Sequence, residues 1–193
     1  TRVVFPAPAG DADAAGMLLG PVVEEATGRL GALVFGVDDE SVERVVLALA
    51  ASRGWSLGTA ESVTGGLVAG RLTSVPGASD TFRGAVVSYA TEVKRDLLGV
   101  GGDAPAAGGG SRETAAAMAA GARTALAPDL PLAVTGYAGP AAADGPVGTV
   151  VVAAETPATR TVRTFRFAGA RDDIRAFAVT AALHVCRRAL LAP

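Results

Sequence analysis

"SLGTAESVTGGLVAGRLTSV", residues 56–75, contains the transition that decides the fold. Its first part, 56–62, has the composition of a short buried strand, and its second part opens a helix directly after two glycines. Alternating strands and helices are typical of α/β proteins, in which helices cover the faces of a sheet. This stretch therefore predicts one strand–helix unit of a layered α/β domain.

The same alternation continues on both sides of this stretch. A helix is predicted upstream at 38–54, and a low-complexity loop downstream at 101–110. The remaining predicted elements are strands at 82–90, 131–140, 147–155 and 160–167, and helices at 91–100 (capped by Thr91), 111–127 (capped by Ser111) and 171–191. The last two strands form a hairpin, so we expect an α/β fold, a three-layer α/β/α sandwich with a mixed sheet.

Residues 1–36 have a different pattern from the rest of the chain. Strand composition at 2–7 and 32–36 flanks a helical pattern at 11–31, which Pro21 is expected to bend or split. We therefore expect a small strand–helix–strand fragment, too small to be stable alone, before a main domain at 38–193. The chain begins with Thr, which is compatible with a missing upstream part.

Composition argues against several classes of function. The formal net charge of −2 gives no electrostatic footprint for DNA or RNA, so no nucleic-acid partner is expected. No apolar run is long enough for a membrane span, and no signal-peptide pattern is visible. The single Cys186 fits a reducing cytoplasm, and with His184 it cannot assemble an ordinary zinc site.

Lys94 is the only lysine among 17 basic residues. A lone lysine is compatible with chance in an arginine-rich composition. The chemical interpretation is that a buried lysine can lose its proton and act as a base, which arginine cannot do. Tyr89 precedes Lys94 by five residues, across a predicted strand–helix turn.

Two serines are candidate nucleophiles. Ser62 stands at the junction of strand and helix, where the backbone amides near Thr64, Gly65 and Gly66 are expected to hold an anion or a developing oxyanion. The alternative is that Ser62 or Thr64 is simply the helix cap. Ser79 lies in a turn after this helix and by itself is an ordinary turn serine.

Two glycine-rich turns, at 135–140 and 144–149, offer backbone amides suited to a phosphate, including those of Gly136, Gly139 and Gly148. Arg171, at the start of the last helix, could add a charge-assisted contact, and Arg175 lies one turn further on the same face. The alternative for both arginines is a solvated helix face or pairing with the neighbouring aspartates.

The combination of motifs is more specific than its parts. "TAES-x-TGG", "VPGAS-x-x-FRG-x-VV-x-YA-x-E-x-K-x-x-LGV", "VTG-x-AGP", "PVGTV" and "G-x-R-x-x-IR" occur in this order. Together they resemble the C-terminal domain of the CinA family, the nicotinamide mononucleotide amidases. The resemblance covers about residues 38–191, and residues 1–36 resemble the tail of the linking domain that precedes it in longer family members.

The resemblance implies hydrolysis of the carboxamide of nicotinamide mononucleotide to nicotinate mononucleotide and ammonia, in the cytoplasm. It maps a serine–lysine site onto Ser62, Ser79, Tyr89 and Lys94, and leaves open which serine is the nucleophile. Substrate-binding positions implied by the same resemblance are Thr64, Gly65, Gly66, Thr135, Gly136, Gly139, Gly148, Arg171 and Arg175. It requires no metal or redox cofactor, and it is compatible with a homodimer.

The sequence departs from the family pattern at several positions. Val63 replaces the usual Cys, Thr91 replaces an Asn, and the segment 136–143 reads "GYAGPAAA", with Tyr137 in place of Ile. These changes concern the expected substrate rim more than the Ser–Tyr–Lys set. Two alternatives therefore remain, an amidase that acts on another small amide and a nucleotide-binding regulatory module without catalysis.

Overall fold

The computed structural model describes residues 2–101, 109–141 and 145–192. Most of the loop predicted at 101–110, and part of the unusual segment 136–143, therefore lie outside the described residues. The chain divides into two compact units, 1–40 and 41–193.

The first unit contains one long helix, α1 (Ala12–Leu30), followed by a 3-10 turn at Gly31–Leu33. Asp11 caps α1 by accepting a 2.8 Å hydrogen bond from the Ala14 amide, and Pro21 lies inside the helix without splitting it. The strands predicted at 2–7 and 32–36 are wrong, because neither segment is a strand in the structure. Strand composition reflects side-chain preference alone, and tertiary context often overrides that preference.

The second unit is built on one five-stranded sheet. Its strands are β1 (Leu57–Glu61), β2 (Phe82–Val87), β3 (Leu130–Gly136), β4 (Thr149–Glu155) and β5 (Arg160–Arg166). The order across the sheet is β2-β1-β3-β4-β5. β1 is parallel to both of its neighbours, whereas β4 is antiparallel to both β3 and β5, which confirms the predicted mixed sheet.

Within the described ranges, five helices of the second unit cover the two faces of this sheet. They are α2 (Val42–Ser52), α3 (Leu67–Thr73), α4 (Thr91–Leu98), α5 (Arg112–Leu126) and α6 (Arg171–Leu191). α4 and α5 pack together on one face, and α2 and α3 pack with α6 on the other, so the predicted three-layer sandwich is confirmed. Among the described helices, none is both long and apolar enough to cross a membrane.

The helix caps follow the sequence in part. Ser41 and Ser111 accept hydrogen bonds from backbone amides three residues later, as a capping serine does. The prediction that Thr91 caps α4 is wrong, because the helix begins at Thr91 and its N-cap is Ala90. The predicted cap position is therefore displaced by one residue.

Small residues allow the helix layer of α4 and α5 to lie close to the sheet and to each other. Met118 and Ala119 of α5 are fully buried against Ala60 of β1 and its neighbours in the core. A Cβ at Gly121 would come within 2.1 Å of the Leu98 carbonyl oxygen, so only glycine permits this approach of α5 to α4.

The strand register brings several chain segments to one edge of the sheet. Glu61, the last residue of β1, pairs with Val87 at the end of β2 and with Val134 near the end of β3. β4 starts at the same edge, since Val150 pairs with Gly136. The loops that leave β1, β2 and β3 therefore meet where ligands bind in open α/β sheets.

Candidate active site

A cleft of about 260 Å³ lies at this edge of the sheet. It is bordered by the segments that follow β1, β2 and β3 and by the first residue of α6. Its described lining residues are Ser62, Val63, Tyr89, Thr91, Lys94, Gly109, Thr135, Gly136, Tyr137, Ala138, Gly139, Ala141 and Arg171. The structure thus brings together three of the four residues for which a catalytic role was predicted.

Lys94 lies on the first turns of α4 and its side chain is buried, with 6% of the residue exposed. The amine Nζ donates a 3.0 Å hydrogen bond to the backbone carbonyl of Tyr89. Burial lowers the pKa of Lys94 below its usual value of 10.5, and the nearby carboxylate of Glu92 opposes this shift. A lysine in this environment is easier to deprotonate, as a general base must be.

Ser62 is the first residue after β1 and is 8% exposed. Its backbone amide donates to the Val134 carbonyl oxygen at 2.9 Å, which extends the β1–β3 pairing by one residue and fixes the start of the turn. Ser62 and Lys94 both line the cleft, so an alcohol and a buried amine border the same space.

The carboxylate of Glu61, which is fully buried, fills the start of α3. It accepts hydrogen bonds from the amides of Gly66, Val68 and Ala69 at 2.8–3.1 Å and from the Thr64 hydroxyl at 2.6 Å. An anion at a helix N-terminus is favourable, and here the protein supplies that anion itself.

This arrangement corrects the expectation that the helix amides near Ser62 bind an oxyanion. The amide of Gly66 is bound to Glu61, and the amide of Gly65 donates to the Ser62 carbonyl at 3.0 Å. The cap of α3 is Gly66, so neither Ser62 nor Thr64 is the cap. Within the described residues, the amides of Val63 and Thr64 donate no hydrogen bond.

Ser79 is separated from the other three predicted catalytic residues. It lies in the 3-10 turn Ala78–Asp80, just before β2, whose first residue Phe82 pairs with Leu57. Leu57 begins β1, whereas Ser62 follows its end, roughly 15 Å further along a strand that rises about 3.3 Å per residue. Ser79 is therefore at the opposite edge of the sheet and does not line the cleft.

Tyr89 and Arg171 meet at the rim. The Arg171 guanidinium donates to the Tyr89 hydroxyl at 2.5 Å and to the Gly139 carbonyl at 2.7 Å. Tyr89 is 60% exposed. Its hydroxyl lies with Arg171, whereas Lys94 contacts its backbone oxygen, so Tyr89 links the two basic side chains through different atoms.

Fewer hydrogen-bonding groups of the glycine-rich turns are available to a ligand than the sequence predicts. Thr135, Gly136 and Gly139 line the cleft, but the Thr135 hydroxyl already donates to the Gly109 carbonyl at 2.5 Å. The amide of Gly148 donates to the Tyr137 carbonyl at 2.7 Å and lies outside the described lining. Gly148 is needed for packing, because a Cβ there would come within 2.0 Å of the Phe167 carbonyl oxygen.

Arg175 also differs from its predicted place. Its guanidinium donates to the carbonyls of Val63 and Thr64 at 3.2 and 3.1 Å, and it lies 3.6 Å from the carboxylate of Asp172. It does not line the cleft. The pairing with Asp172 agrees with the alternative that the sequence offers for Arg175, whereas the contacts with the two carbonyls depend on the tertiary structure.

Tyr137 ties two loops to the site. Its hydroxyl accepts a 3.0 Å hydrogen bond from the Gly110 amide, and a Cβ at Gly110 or Gly145 would come within about 2.6 Å of its ring. Its backbone is fixed by the bond from its amide to the Thr149 carbonyl at 2.8 Å. The aromatic ring that replaces the usual Ile therefore forms one wall of the cleft.

Sequence reasoning missed Glu61 and Gly109. Glu61 had a signal: it is a charged residue at the end of an apolar strand, and a buried carboxylate needs several donors, which the following helix start can supply. Gly109 had none, because its position depends on the long-range bond from Thr135.

Comparison with known proteins agrees with these motifs. The family model described as "CinA C-terminal domain" matches residues 39–190. A CinA-like protein of Frankia casuarinae is 50% identical over 192 residues, which cover 98% of this chain and 44% of that protein. A putative competence-damage inducible protein of Desulforamulus reducens is 42% identical, over 89% of this chain and 45% of its own length. The chain thus spans less than half the length of these two relatives.

Solved structures match most of this chain over nearly their own whole length. The competence/damage inducible protein CihA from Agrobacterium tumefaciens is 36% identical, with a TM-score of 0.75, and the match covers 82% of this chain and 99% of that chain. A CinA superfamily protein from Escherichia coli is 28% identical, with a TM-score of 0.72, over 84% of this chain and 98% of its own.

Proposed function

Because the chain belongs to the CinA family through its C-terminal domain, we propose that it is an amidase that converts nicotinamide mononucleotide to nicotinate mononucleotide and ammonia. The observation that carries the proposal is the cleft that Ser62 and the buried Lys94 both line. An amide is a poor electrophile, so a hydroxyl needs an adjacent base to attack it.

Ser62 is the nucleophile in this proposal. It borders the same cleft as Lys94, whereas Ser79 lies at the other edge of the sheet. Its position directly after a parallel strand, before a glycine turn and a helix, is a strand–turn–helix arrangement that also presents nucleophiles in other hydrolases.

The first half of the reaction forms an acyl-enzyme. Neutral Lys94 takes the proton from the Ser62 hydroxyl as the serine oxygen bonds to the carboxamide carbon. The C–N bond then breaks, and the protonated amine of Lys94 delivers its proton to the leaving nitrogen, which departs as ammonia. The lowered pKa of Lys94 supports both transfers, because such an amine is ready to accept a proton and to return it.

The second half restores the enzyme. Water attacks the ester carbon while Lys94 accepts one of its protons. The bond between that carbon and the Ser62 oxygen breaks, and Lys94 returns the proton to the serine. One water is consumed and one carboxylic acid is released, so the net reaction is amide plus water to acid plus ammonia.

The oxyanion that forms during both halves requires hydrogen-bond donors. The amides of Val63 and Thr64 are the candidates nearest the nucleophile that have no partner within the described residues. Loss of a single oxyanion donor typically costs about 3 kcal/mol of transition-state stabilisation. Of the amides first expected in this role, near Thr64, Gly65 and Gly66, this pair keeps that of Thr64 and replaces the two glycine amides by that of Val63.

The nucleotide part of the substrate is assigned to the rim. Arg171 supplies a cation beside Gly139 and Tyr89, where it can pair with the phosphate. Thr135 and Gly136 line the wall next to it. No metal or redox cofactor takes part in this mechanism, and a homodimer in the cytoplasm remains an expectation from the family.

A second candidate, an amidase on another small amide, is favoured by Tyr137. Its ring forms part of the cleft wall, where an aliphatic side chain would leave more space. Its hydroxyl accepts a hydrogen bond from the Gly110 amide. A different amide would use the same Ser62 and Lys94 chemistry. A regulatory nucleotide-binding role without catalysis is the remaining alternative, and it requires Arg171 but not Lys94.

The deciding experiment incubates the purified chain with nicotinamide mononucleotide and measures ammonia and nicotinate mononucleotide together. We expect both products in equal amounts, and none from Ser62→Ala. Ammonia from a panel of other small amides, but not from the mononucleotide, would support the second candidate. Binding of the mononucleotide with no ammonia from any amide would support the regulatory role.

A further inference from the structure

Arg175 binds the backbone of the turn 62–66, which begins with Ser62, and its side chain does not line the cleft. Its Nε and one terminal nitrogen donate to the carbonyls of Val63 and Thr64, and the same terminal nitrogen would lie 3.4 Å from a Cβ at Gly65. The planar guanidinium presents donors in a fixed geometry, so it can hold two consecutive carbonyls in one orientation. A lysine has no such geometry.

Glu61 holds the same turn through other groups. Its carboxylate accepts from the Thr64 hydroxyl and the Gly66 amide, while the Gly65 amide donates to the Ser62 carbonyl. The turn 62–66 is therefore held by an arginine on its carbonyls and by a carboxylate on a hydroxyl and an amide.

The geometry of the peptide bond determines how these hydrogen bonds orient the amides of Val63 and Thr64. In a trans peptide the C=O and N–H groups point in opposite directions. Because Arg175 fixes the Val63 carbonyl, the Thr64 amide points away from α6, which carries Arg175. Because the Gly65 amide fixes the Ser62 carbonyl, the Val63 amide points away from the interior of the turn. These are the two amides next to the nucleophile that lack partners within the described residues.

We propose that Arg175 is a positioning residue that, together with Glu61, orients the Val63 and Thr64 amides as the oxyanion-binding donors beside Ser62. It is not a ligand of the substrate phosphate. This inference rests on the proposed serine mechanism, but not on the identity of the amide. Asp172 forms an ion pair with Arg175, but its side chain is 94% exposed, and a solvated partner at 3.6 Å contributes little to this orientation.

The first test separates positioning from substrate binding by kinetics. Arg175→Lys and Arg175→Met are compared with Arg188→Met, an exposed arginine on the same helix, roughly 20 Å away at 1.5 Å per residue. For the Arg175 variants we expect kcat to fall about 100-fold and KM for nicotinamide mononucleotide to change less than about threefold, because transition-state contacts are lost and ground-state contacts are kept. Arg188→Met should match the wild type.

The opposite pattern would overturn the proposal. A KM that rises at least about tenfold with kcat retained would make Arg175 a ligand of the substrate phosphate, because uniform binding would have been lost. Thermal unfolding of each variant is measured in parallel. A lower midpoint with kcat and KM unchanged would make Arg175 a purely structural residue and would also overturn the inference.

A second test does not depend on the substrate. A small fluorophosphonate reacts with an activated serine: the Ser62 oxygen bonds to phosphorus, fluoride leaves, and Lys94 takes the hydroxyl proton. The phosphoryl oxygen needs the same donors as an oxyanion. We expect wild type and Arg188→Met to be labelled at Ser62 at equal rates, and Arg175→Met to be labelled at least about tenfold more slowly.

The two tests keep the two hypotheses apart. If the wild type does not hydrolyse nicotinamide mononucleotide but its Ser62 labelling depends on Arg175, the proposed substrate fails and the role of Arg175 stands. If Arg175→Met is labelled at the wild-type rate, the role of Arg175 is refuted whatever the substrate. If the wild type is not labelled at all, both the serine mechanism and the inference are refuted.

Discussion

The amine of Lys94 donates a 3.0 Å hydrogen bond to the backbone carbonyl of Tyr89, and this bond closes the turn between β2 and α4. The bond gives the buried amine a neutral acceptor in place of a carboxylate. Such an environment does not stabilise the charged form as an ion pair would, so desolvation determines the direction of the pKa shift. The chain's only lysine therefore combines burial, a fixed position and a lowered pKa in the cleft that contains Ser62.

The role of this amine can be tested by the substitution Lys94→Arg. Arginine keeps the positive charge and similar reach but stays protonated, so it cannot accept the serine proton. We expect ammonia release to fall by at least about 100-fold, the range attributed to general bases, with the circular dichroism spectrum unchanged. Wild-type turnover in the Lys94→Arg variant would refute the base role.

The rate should also depend on pH in a defined direction. Lys94 acts as a base only when neutral, and burial lowers its pKa below 10.5. We therefore expect kcat/KM to rise with pH through that lowered pKa and to level off above it, before pH 10.5 is reached. The profile is measured with a buffer series at constant ionic strength. A rate that is independent of pH over this whole range would contradict the assignment.

The lowered pKa of Lys94 should also make the free energy of unfolding depend on pH. Because the folded pKa of Lys94 is lowered, the unfolded chain binds more protons between that pKa and 10.5, and the free energy of unfolding rises with pH in this window. The methionine introduced by Lys94→Met does not titrate. We expect Lys94→Met to be more stable than wild type at neutral pH, with a difference in urea denaturation that shrinks as the pH approaches 10.5. A difference that stays constant with pH would argue against a shifted pKa.

The two serines should give opposite results. Ser62→Ala removes the nucleophile in the cleft, and we expect turnover to be lost, by at least about 1,000-fold. Ser79→Ala changes an exposed position at the other edge of the sheet, so we expect kcat and KM close to wild type. Both are assayed for ammonia and for labelling by a fluorophosphonate. If Ser79→Ala lost activity and Ser62→Ala kept it, the nucleophile would be Ser79. The chain would then have to be arranged differently from this structure.

Glu61 is expected to matter for stability as well as for the turn. The variant Glu61→Gln replaces one acceptor oxygen by an NH₂ group that faces amide donors, which leaves buried polar groups without partners. We expect the free energy of unfolding to fall by about 3 kcal/mol. The exposed Glu113→Gln is the matched control and should change it by less than about 1 kcal/mol. Equal stability of the two variants would show that the carboxylate is not needed at the start of α3.

Much of the main domain follows from local patterns. The strand at 56–62, the hairpin at 147–167 and the last helix at 171–191 each occur close to their predicted places, because apolar periodicity and turn residues are local properties. The strands predicted at 2–7 and 32–36 failed because their prediction used local properties alone. Their composition suits a strand, but side-chain preference is a weak guide to strand formation, because tertiary context overrides it.

The sequence by itself determined the layered α/β class, the family motifs and the chemistry available at Lys94 and Ser62, since these depend on residue type and short spacing. Only the tertiary structure decided which groups share the cleft. The parallel register puts Ser62 and Lys94 at one edge and Ser79 at the other, and the start of α3 is filled by Glu61 of the preceding strand. The Arg175 guanidinium and the Gly148 amide of the second glycine-rich turn form hydrogen bonds with other groups of the protein. Each of these outcomes depends on partners distant in sequence or on backbone direction, which residue type and spacing do not specify.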